Sequence, residues 1–419
     1  MKYDIIIIGA GCAGLMAMKE LLADGYRVCL LEAAPSAGGR IATIKERGFE
    51  TPVESGAEFI HGRLPLTLKL LRKANIAYQA VEGKMIGVAK GKWSKEEHSK
   101  HWDELLRKLR KQKTDTSICA FLDEHFAGPA YKDLRKAAQG FAEGFDLADI
   151  DKASILSVRK EWEHEEQTQY RIPGGYGQLT DYLLSNCLAL MGKIYFNCCA
   201  NIIEWRRGHV TVLTNDNRKF EATRIIITAS AGVLQSAMIR FKPGLGVHHD
   251  AIRQLGFGSV IKIHLQFKTQ FWKNKSEDIG FLIADTAIPT WWTQLPAQNN
   301  LLTGWLGGPK AARKINDTDE KLLQTALGSL SCVFHMQQDV LDKQLVHHRI
   351  TCWSKHPYIL GGYSYNTLFA EKAIEILSEP VAGSIFFAGE AIHSGESQGT
   401  VEAALQSGLA VAKKIRKMK

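Results

Sequence analysis

The most informative stretch of this sequence is Asp4-Ile5-Ile6-Ile7-Ile8-Gly9-Ala10-Gly11-Cys12-Ala13-Gly14. Its apolar run with β-branched side chains is typical of a buried strand in a parallel sheet, and its glycines follow the spacing GxGxxG. Apolar residues at helical spacing continue through residues 15–22, and Gly25 ends the predicted helix. A second predicted strand covers residues 26–31, with Glu32 at its end. This order predicts a βαβ unit with a ligand site at its glycine turn.

The residue types of this unit suit a dinucleotide. Gly9 allows the tight turn, Gly11 lets the backbone approach a pyrophosphate, and Gly14 lets the helix pack closely on the strand. The phosphates would lie at a helix N-terminus, where free N–H groups and the helix dipole favour negative charge. Glu32 can accept hydrogen bonds from both hydroxyls of a ribose. The predicted ligand contacts of this unit are Gly9, Gly11, Cys12, Ala13, Gly14, Glu32 and Ala33.

A second glycine turn distinguishes between possible dinucleotides. Ala37-Gly38-Gly39-Arg40 follows the acid and brings a flexible turn and a guanidinium beside the predicted diphosphate. This arrangement favours a ligand that stays buried in the protein over one that exchanges. The alternative for Arg40 is a surface salt bridge.

Glu32 followed by Gly38-Gly39-Arg40 resembles the flavin-containing amine oxidases, which include monoamine oxidases, polyamine oxidases and lysine-specific histone demethylases. Further segments resemble that family in the same order along the chain. They are residues 53–62 (VESGAEFIHG), 172–179 (IPGGYGQL), 255–262 (LGFGSVIK) with Phe271-Trp272, and 386–390 (FFAGE) with 399–402 (GTVE). The resemblance covers residues 4–412 and implies a FAD-binding enzyme.

The resemblance also implies where FAD is held. The helix that begins at Gly399-Thr400-Val401 would aim its N-terminus at the flavin pyrimidine edge, where the dipole stabilises negative charge on the reduced ring. Gly362 stands where the monoamine oxidases carry the cysteine that bonds flavin, so we expect non-covalent FAD. The implied FAD contacts beyond the first unit are Gly39, Arg40, Gly56, Ala57, Glu58, Phe59, Ala200, Trp353, Gly389, Glu390, Gly399, Thr400 and Val401.

Lys262 is the first candidate for the reacting site. It lies on a predicted strand whose Ile261 and Ile263 share the opposite face, and a solvent-facing lysine is the ordinary interpretation of that pattern. The resemblance instead implies that its ammonium lies near flavin N5, bridged by a water. A positive charge there can order the water and help oxygen accept electrons.

The resemblance also implies an aromatic surround for the substrate. Tyr363 matches one wall of the family's aromatic cage, and Trp353 belongs to a segment that lines the flavin. Thr400 matches the opposite wall, which is tyrosine in monoamine oxidases, so the pattern is closer to the demethylases and implies a wider or more polar cavity. Core packing is the alternative for both aromatic residues.

Glu58 and His61 lie on the segment that passes the flavin. Glu58 could hold a substrate cation or, together with His61, tune its protonation, because only a neutral amine has the lone pair that helps expel hydride equivalents. The equally weighted alternative is a structural Glu58 that hydrogen-bonds the backbone. For the remaining cavity candidates we favour core packing; these are Trp291, Trp292 and Trp305.

These observations predict an α/β fold with a Rossmann-type FAD-binding domain, a parallel sheet built from discontinuous segments, and an interleaved α+β substrate domain. We expect segments 1–82, 168–234 and 348–419 to form the FAD-binding domain. Segment 83–167 is expected to be helical and charged, and segment 235–347 to hold alternating strands followed by a helix over about 317–334. Both are assigned to the substrate domain.

The amino-acid composition excludes few classes of protein function. The net charge of +9 lies partly in residues 90–113 and 413–419, which are best interpreted as a solvated helix face and a frayed end, so we expect no nucleic acid and no membrane partner. The eight cysteines form no CxxC pair and no metal-ligand spacing with histidine, so we expect reduced thiols and no metal. With a strand beginning at Asp4 and no long apolar run, we expect no signal peptide and a cytoplasmic location. The sequence leaves the oligomeric state undefined.

The predicted function is oxidation of an amine to an imine with O2 as electron acceptor and H2O2 as product. One alternative is an L-amino-acid oxidase, which would need a guanidinium for the substrate carboxylate; Glu58 opposes it, and Arg63 lies past the motif. A FAD-dependent desaturase or porphyrinogen oxidase of the same superfamily is another. A flavin-binding protein without turnover is the third, against which Lys262 and Tyr363 argue weakly.

Overall fold

The fold is described from a computed structural model, which covers residues 2–94, 101–163, 168–395 and 397–418. The strands are β1 (Lys2–Ile8), β2 (Val28–Leu31), β3 (Thr43–Ile44), β4 (Val53–Glu54), β5 (Ile60–His61), β6 (Gln79–Ala80), β7 (Lys84–Ala89), β8 (Lys92–Ser94), β9 (Gln169–Arg171), β10 (Lys193–Tyr195), β11 (Ala200–Arg206), β12 (His209–Thr214), β13 (Lys219–Ile227), β14 (Arg240–Lys242), β15 (Gly256–Phe257), β16 (Val260–Phe267), β17 (Ile279–Ala284), β18 (Thr290–Trp292), β19 (Leu301–Gly307), β20 (Leu345–Cys352), β21 (Ser364–Tyr365) and β22 (Ile385–Phe387). The α-helices are α1 (Cys12–Ala23), α2 (Pro65–Lys73), α3 (Trp102–Lys111), α4 (Ile118–His125), α5 (Lys132–Gly144), α6 (Ile155–Glu163), α7 (Gly177–Ala189), α8 (Ala231–Gln235), α9 (Val247–Gln254), α10 (Gly308–Ala312), α11 (Asp319–Phe334), α12 (Gln338–Gln344), α13 (Ala370–Ser378) and α14 (Val401–Arg416).

The first sheet has the strand order β10-β2-β1-β13-β12-β11-β14. Strands β10, β2, β1, β13 and β22 run parallel, as expected for a Rossmann-type unit. The predicted parallel Rossmann-type sheet is confirmed, and the antiparallel meander β11-β12-β13 extends it, so the sheet as a whole is mixed. One edge of β13 pairs with β1, and its other edge is divided between two strands. The first half of that edge pairs with β12, and its last three residues pair with β22.

Helices cover both faces of the first sheet. Ile5 and Ile7 of β1 enter the core that β1 shares with α1, α2, α7 and α14. Ile6 and Ile8 enter the opposite core, which contains α8, α9 and α13. Both faces are therefore buried, which explains why β1 is continuously apolar.

The second sheet has the order β20-β16-β19-β18-β17-β7-β8 and is antiparallel except between β17 and β7. Helix α11 packs against it through the apolar face that includes Ile261 and Ile263. The helical expectation for segment 83–167 is wrong at β7 and β8, which extend this sheet; the helices of the segment begin at α3. Strand β14 pairs in the first sheet and β20 in the second, so both cross the expected boundaries at 234 and 347.

A helical layer of α3 to α6 has its own core, which contains Trp102, Phe121 and Trp162. It contacts the second sheet where α5 meets α10 and β19. Among the described helices, none is long and apolar enough to cross a bilayer.

The contact between α1 and α14 depends on a glycine. A Cβ added at Gly408 would lie 2.3 Å from the Ala13 carbonyl oxygen, whereas a Cβ at Gly140, in the interior of α5, would meet nothing within 4 Å. We expect Gly408→Ala to lower the free energy of unfolding by roughly 1–3 kcal/mol, because the two helices must separate.

The matched variant Gly140→Ala should instead stabilise the protein by about 0.5–1 kcal/mol, because alanine has the higher helix propensity. Both values are measured by denaturant or thermal unfolding. A Gly408→Ala protein as stable as the unsubstituted protein would contradict close packing of α1 on α14.

Candidate active site

One cavity of about 4220 Å³ runs from the carboxyl ends of β1 and β2 to the face of β16. Ordinary small-ligand sites occupy roughly 300–1,000 Å³, so this space is large enough for a dinucleotide together with a substrate. Its nucleotide end is lined by Gly11, Cys12, Ala13, Glu32, Ala33 and Ala200. Its other end is lined by Phe59, His61, Lys262, Trp292, Trp305 and Tyr363.

The glycine turn has the form that the sequence predicts. Gly9 has φ +103°, which favours glycine, and a Cβ at Gly14 would lie 2.0 Å from the Gly9 carbonyl oxygen. A Cβ at Gly11 would meet its first heavy atom only at 4.0 Å, so this backbone is open to the cavity. Gly11 is also the N-cap of α1 and offers no side-chain acceptor, which leaves the first N–H groups of the helix to a ligand.

Glu32 lies beside this turn. Its carboxylate accepts hydrogen bonds from the backbone N–H groups of Ala10 at 2.6 Å and Ala34 at 2.8 Å. Burial raises the pKa of its carboxyl group, and these backbone donors oppose that rise. The two bonds leave lone pairs for a ribose, because a carboxylate has about four acceptor sites.

Arg40 and Glu390 are held together in the middle of the cavity wall. Arg40 Nη1 lies 2.5 Å from Glu390 Oε1 and donates to the Gly362 carbonyl at 2.9 Å. Ser364 Oγ donates to Glu390 Oε2 at 2.5 Å. The Arg40 ion pair is thus internal to the cavity wall, and the interpretation as a surface salt bridge is wrong.

The N-terminus of α14 also faces the cavity, through Gly399, Thr400 and Val401. Thr400 is the N-cap residue, and its hydroxyl accepts from the Ala403 N–H at 3.2 Å. Glu402 also borders the cavity but is buried, and its carboxylate accepts from the N–H groups of Leu66 and Thr67 at the start of α2. Thr400 places a small side chain, not an aromatic ring, in this part of the cavity wall.

Lys262 is 1% exposed and lines the cavity from β16. Its Nζ donates to Glu58 Oε2 at 2.7 Å and to the Gly56 carbonyl at 3.1 Å, and lies 5.4 Å from the centre of the Trp292 ring. The alternative of a solvent-facing lysine is therefore wrong.

Glu58 accepts from more than Lys262. Its other oxygen, Oε1, accepts from Arg171 Nε and Trp292 Nε1, each at 3.0 Å. Burial by itself would raise the pKa of Glu58, but the charges of Lys262 and Arg171 outweigh it and lower that pKa to about 2. Among the described residues the donors to Glu58 are three side chains, two on Oε1 and one on Oε2, so the alternative in which Glu58 hydrogen-bonds the backbone is wrong. The contact of Glu58 with a substrate cation stays a prediction.

Arg171 was absent from the sequence predictions. It ends β9, immediately before the Ile172 that begins the glycine motif, and it is 8% exposed. In the sequence, Arg171 is a charged residue between Tyr170 and an apolar residue on a short strand, and this was the one signal that could have pointed to it. Without its partner Glu58, more than a hundred residues away, that signal points to no role.

His61 lies beside Phe59 and Phe145, with ring centroids 6.0 and 5.6 Å away. Burial lowers the pKa of its imidazole to about 4, so the ring is neutral at neutral pH. It forms an uncharged part of the cavity wall.

Tyr363 and Trp305 form a stacked pair in this wall, with centroids 6.4 Å apart and planes 24° apart. Trp305 Nε1 donates to the Gly144 carbonyl at 2.7 Å, and the Tyr363 hydroxyl donates to the Phe145 carbonyl. Both rings are thus fixed by the C-terminal end of α5.

The other tryptophans have different surroundings. Trp353 donates its Nε1 to the Ser55 carbonyl at 2.7 Å and lines the cavity. Trp291 is core, as expected. Trp292 is buried as expected and Trp305 packs against a core cluster, and both also line the cavity.

This geometry fits FAD. The uncapped α1 terminus and the open Gly11 backbone suit a diphosphate, and Glu32 suits the adenosine ribose. The cavity continues past the α14 terminus to Lys262, and this part would leave room for the isoalloxazine ring.

Comparison with known proteins agrees with this fit. The family profile described as "Flavin containing amine oxidoreductase" matches residues 78–416, and one described as "NAD(P)-binding Rossmann-like domain" matches residues 7–74. The chain is 25% identical to lysine-specific histone demethylase 1B of Mus musculus, over 98% of this chain and 52% of that protein. It is 26% identical to polyamine oxidase 4 of Oryza sativa subsp. japonica, over 99% of this chain and 88% of that protein. The chain thus spans about half the length of the histone demethylases it matches.

Solved structures show the same fold. Putrescine oxidase bound to putrescine superposes with a TM-score of 0.85 at 19% identity, covering 100% of this chain and 99% of that one. Cyclohexylamine oxidase from Brevibacterium oxydans superposes with a TM-score of 0.82 at 19% identity, covering 99% of each chain. Because the family profile covers most of its length, the chain belongs to the flavin-containing amine oxidoreductases, enzymes whose cofactor is FAD.

Proposed function

We propose that this enzyme oxidises the C–N bond of an amine and passes the electrons to O2. An amine RCH2NH2 and O2 give the imine RCH=NH and H2O2, and water then converts the imine to an aldehyde and ammonia. The observation that carries the proposal is the buried Lys262 ammonium on the cavity wall, beside the ring of Trp305 on the neighbouring strand, which can hold an amine together with Tyr363. Bound FAD supplies the two-electron acceptor between amine and oxygen.

The chain's own residues orient the substrate. Tyr363 and Trp305 present fixed ring faces, which attract the nitrogen end of an amine by cation–π contact and position its α-carbon. His61, Phe59 and Phe145 complete an uncharged wall that excludes water from the reacting carbon. With Thr400 at the other side of the cavity, there is room for a substituted amine.

Lys262 holds a positive charge in place. Two of its three N–H bonds are used by Glu58 and Gly56, so the third can hold a water in the cavity. The fixed cation then stabilises negative charge that develops on oxygen during its reduction.

FAD is proposed to bind without a covalent bond. Gly362 offers no thiol at the cage segment, and its carbonyl is bound to Arg40. The contacts proposed from the sequence for the remaining FAD groups stay predictions, as do the domain boundaries other than those at 234 and 347, and the cytoplasmic location.

The first test is anaerobic stopped-flow of the purified enzyme with benzylamine, spermine, a methylated lysine and L-leucine. We expect an amine to bleach the flavin band and H2O2 to appear on re-aeration, because reduction of FAD removes its visible absorption. Bleaching by L-leucine alone would assign the protein to the amino-acid oxidases, and no bleaching at all would refute the proposal.

Lys262→Met should slow flavin reoxidation by O2 roughly a hundredfold, the usual effect of removing one electrostatic stabiliser of a transition state. The matched control is Lys268→Met, because Lys268 follows the same strand but is exposed and donates to the Lys343 carbonyl. Equal reoxidation rates in Lys262→Met and Lys268→Met would remove Lys262 from the mechanism.

Heating or acid treatment of the enzyme should release all of its flavin into the soluble fraction, because the proposed attachment consists of hydrogen bonds and ion pairs. The released fraction is measured by absorbance after the protein is pelleted. Yellow colour that stays with the denatured protein would show a covalent bond.

A further inference from the structure

Arg171 lies behind Glu58 when seen from the cavity. Glu58, Lys262 and Trp292 line that space, whereas in the described chain the lining does not include Arg171. Its guanidinium donates to the carbonyls of Thr293 at 3.0 Å and Leu295 at 3.2 Å. The group is thus turned into the protein and can influence a substrate only through its neighbours.

Arg171 determines which oxygen of the Glu58 carboxylate is left for Lys262. Arg171 Nε donates a hydrogen bond to Oε1, which also accepts from Trp292 Nε1, and Lys262 donates to Oε2. The guanidinium itself is held by two backbone carbonyls and by the Phe59 ring, whose centre is 4.7 Å away. The carboxylate therefore has a fixed plane, and so does the direction from which Lys262 is bound.

Arg171 also determines the net charge. Lys262 and Glu58 alone would be a neutral pair beside the cavity. The added guanidinium gives these three side chains one surplus positive charge, and arginine keeps its proton under ordinary conditions. Glu54 also interacts with Lys262 and Glu58, but burial raises the pKa of its carboxyl group and so disfavours its negative charge. Because all these side chains are buried, this charge is weakly screened by salt.

We propose that Arg171 is a positioning residue: it fixes the Glu58 carboxylate, through it aims the remaining N–H of Lys262 into the cavity, and supplies the surplus positive charge of the group. The inference rests on the proposed role of Lys262. It assigns Arg171 no contact with the substrate.

The contribution of the Arg171 charge is tested by measuring the midpoint potential of bound FAD in Arg171→Met and Arg171→Lys. A nearby cation stabilises the reduced, more negative form, so Arg171→Met should move the potential to a more negative value, and Arg171→Lys should keep it. Glu58→Gln removes the negative charge and should move the potential the opposite way. Arg27→Met is the control, because Arg27 forms an ion pair with Asp4 at the far, amino end of the first sheet.

The orientation of the Lys262 N–H is tested by a double-mutant cycle on the rate constant of flavin reoxidation by O2. Arg171→Met and Arg171→Lys should each lower it about tenfold, because lysine keeps the charge but lacks the planar fork. In the Lys262→Met background the same substitutions should change it by less than about twofold, because Arg171 acts through Lys262.

The outcomes separate this inference from the proposed function. If Lys262→Met slows reoxidation while Arg171→Met leaves both the potential and the rate constant unchanged, the positioning role is wrong and the proposed function stands. If Lys262→Met itself has no effect, the proposed mechanism fails first. Should Arg171→Met fail to fold, the potentials of Arg171→Lys and Glu58→Gln still decide: unchanged potential in Glu58→Gln would overturn the charge assignment.

Discussion

The site depends on a carboxylate buried between two cations. Removing a carboxylate or an ammonium from water costs several kcal/mol per ion, which is recovered only where opposite charges and hydrogen bonds are in close contact. Glu58 meets this condition with Lys262, Arg171 and Trp292, which come from β16, β9 and β18. The loop before β5 must therefore lie against three other strands, and β9 must be docked on the second sheet before these charges can be buried.

The cavity has two kinds of wall. The nucleotide end is built from backbone: a glycine turn, an uncapped helix terminus and carboxyl ends of parallel strands. The reacting end is built from side chains, and its rings are tied to the carbonyls of Gly144 and Phe145 at the end of α5. The helical layer thus takes part in the reacting site although none of its residues was a sequence candidate, because carbonyl acceptors at a helix end leave no signature in the side-chain pattern.

Local chemistry made the nucleotide end predictable. GxGxxG with its flanking strands depends on contacts within about thirty residues, so Gly9, Gly14 and Glu32 could be assigned roles from sequence. The two-residue alternation of β16 likewise predicted that Lys262 faces away from Ile261. The strands β7 and β8 were missed because they are short and bounded by lysines, so the alternation of the buried Ile86 and Val88 covers too few residues to stand out. Arg171 was missed because it acquires its role from a partner far along the chain, and the same distance kept the cavity-lining positions of Trp292 and Trp305 from being favoured over core packing.

The divided edge of β13 has a consequence for how the protein is made. Its neighbours β1, β12 and β22 come from the beginning, middle and last part of the sequence, and β22 takes its place beside residues 225–227 only after residue 387 has been synthesised. Non-local parallel pairing of this kind gives a high contact order, which slows folding. Until then the apolar edge of Ile225–Ile227 is unpaired on a partly made chain, which is the kind of surface that chaperones protect during synthesis.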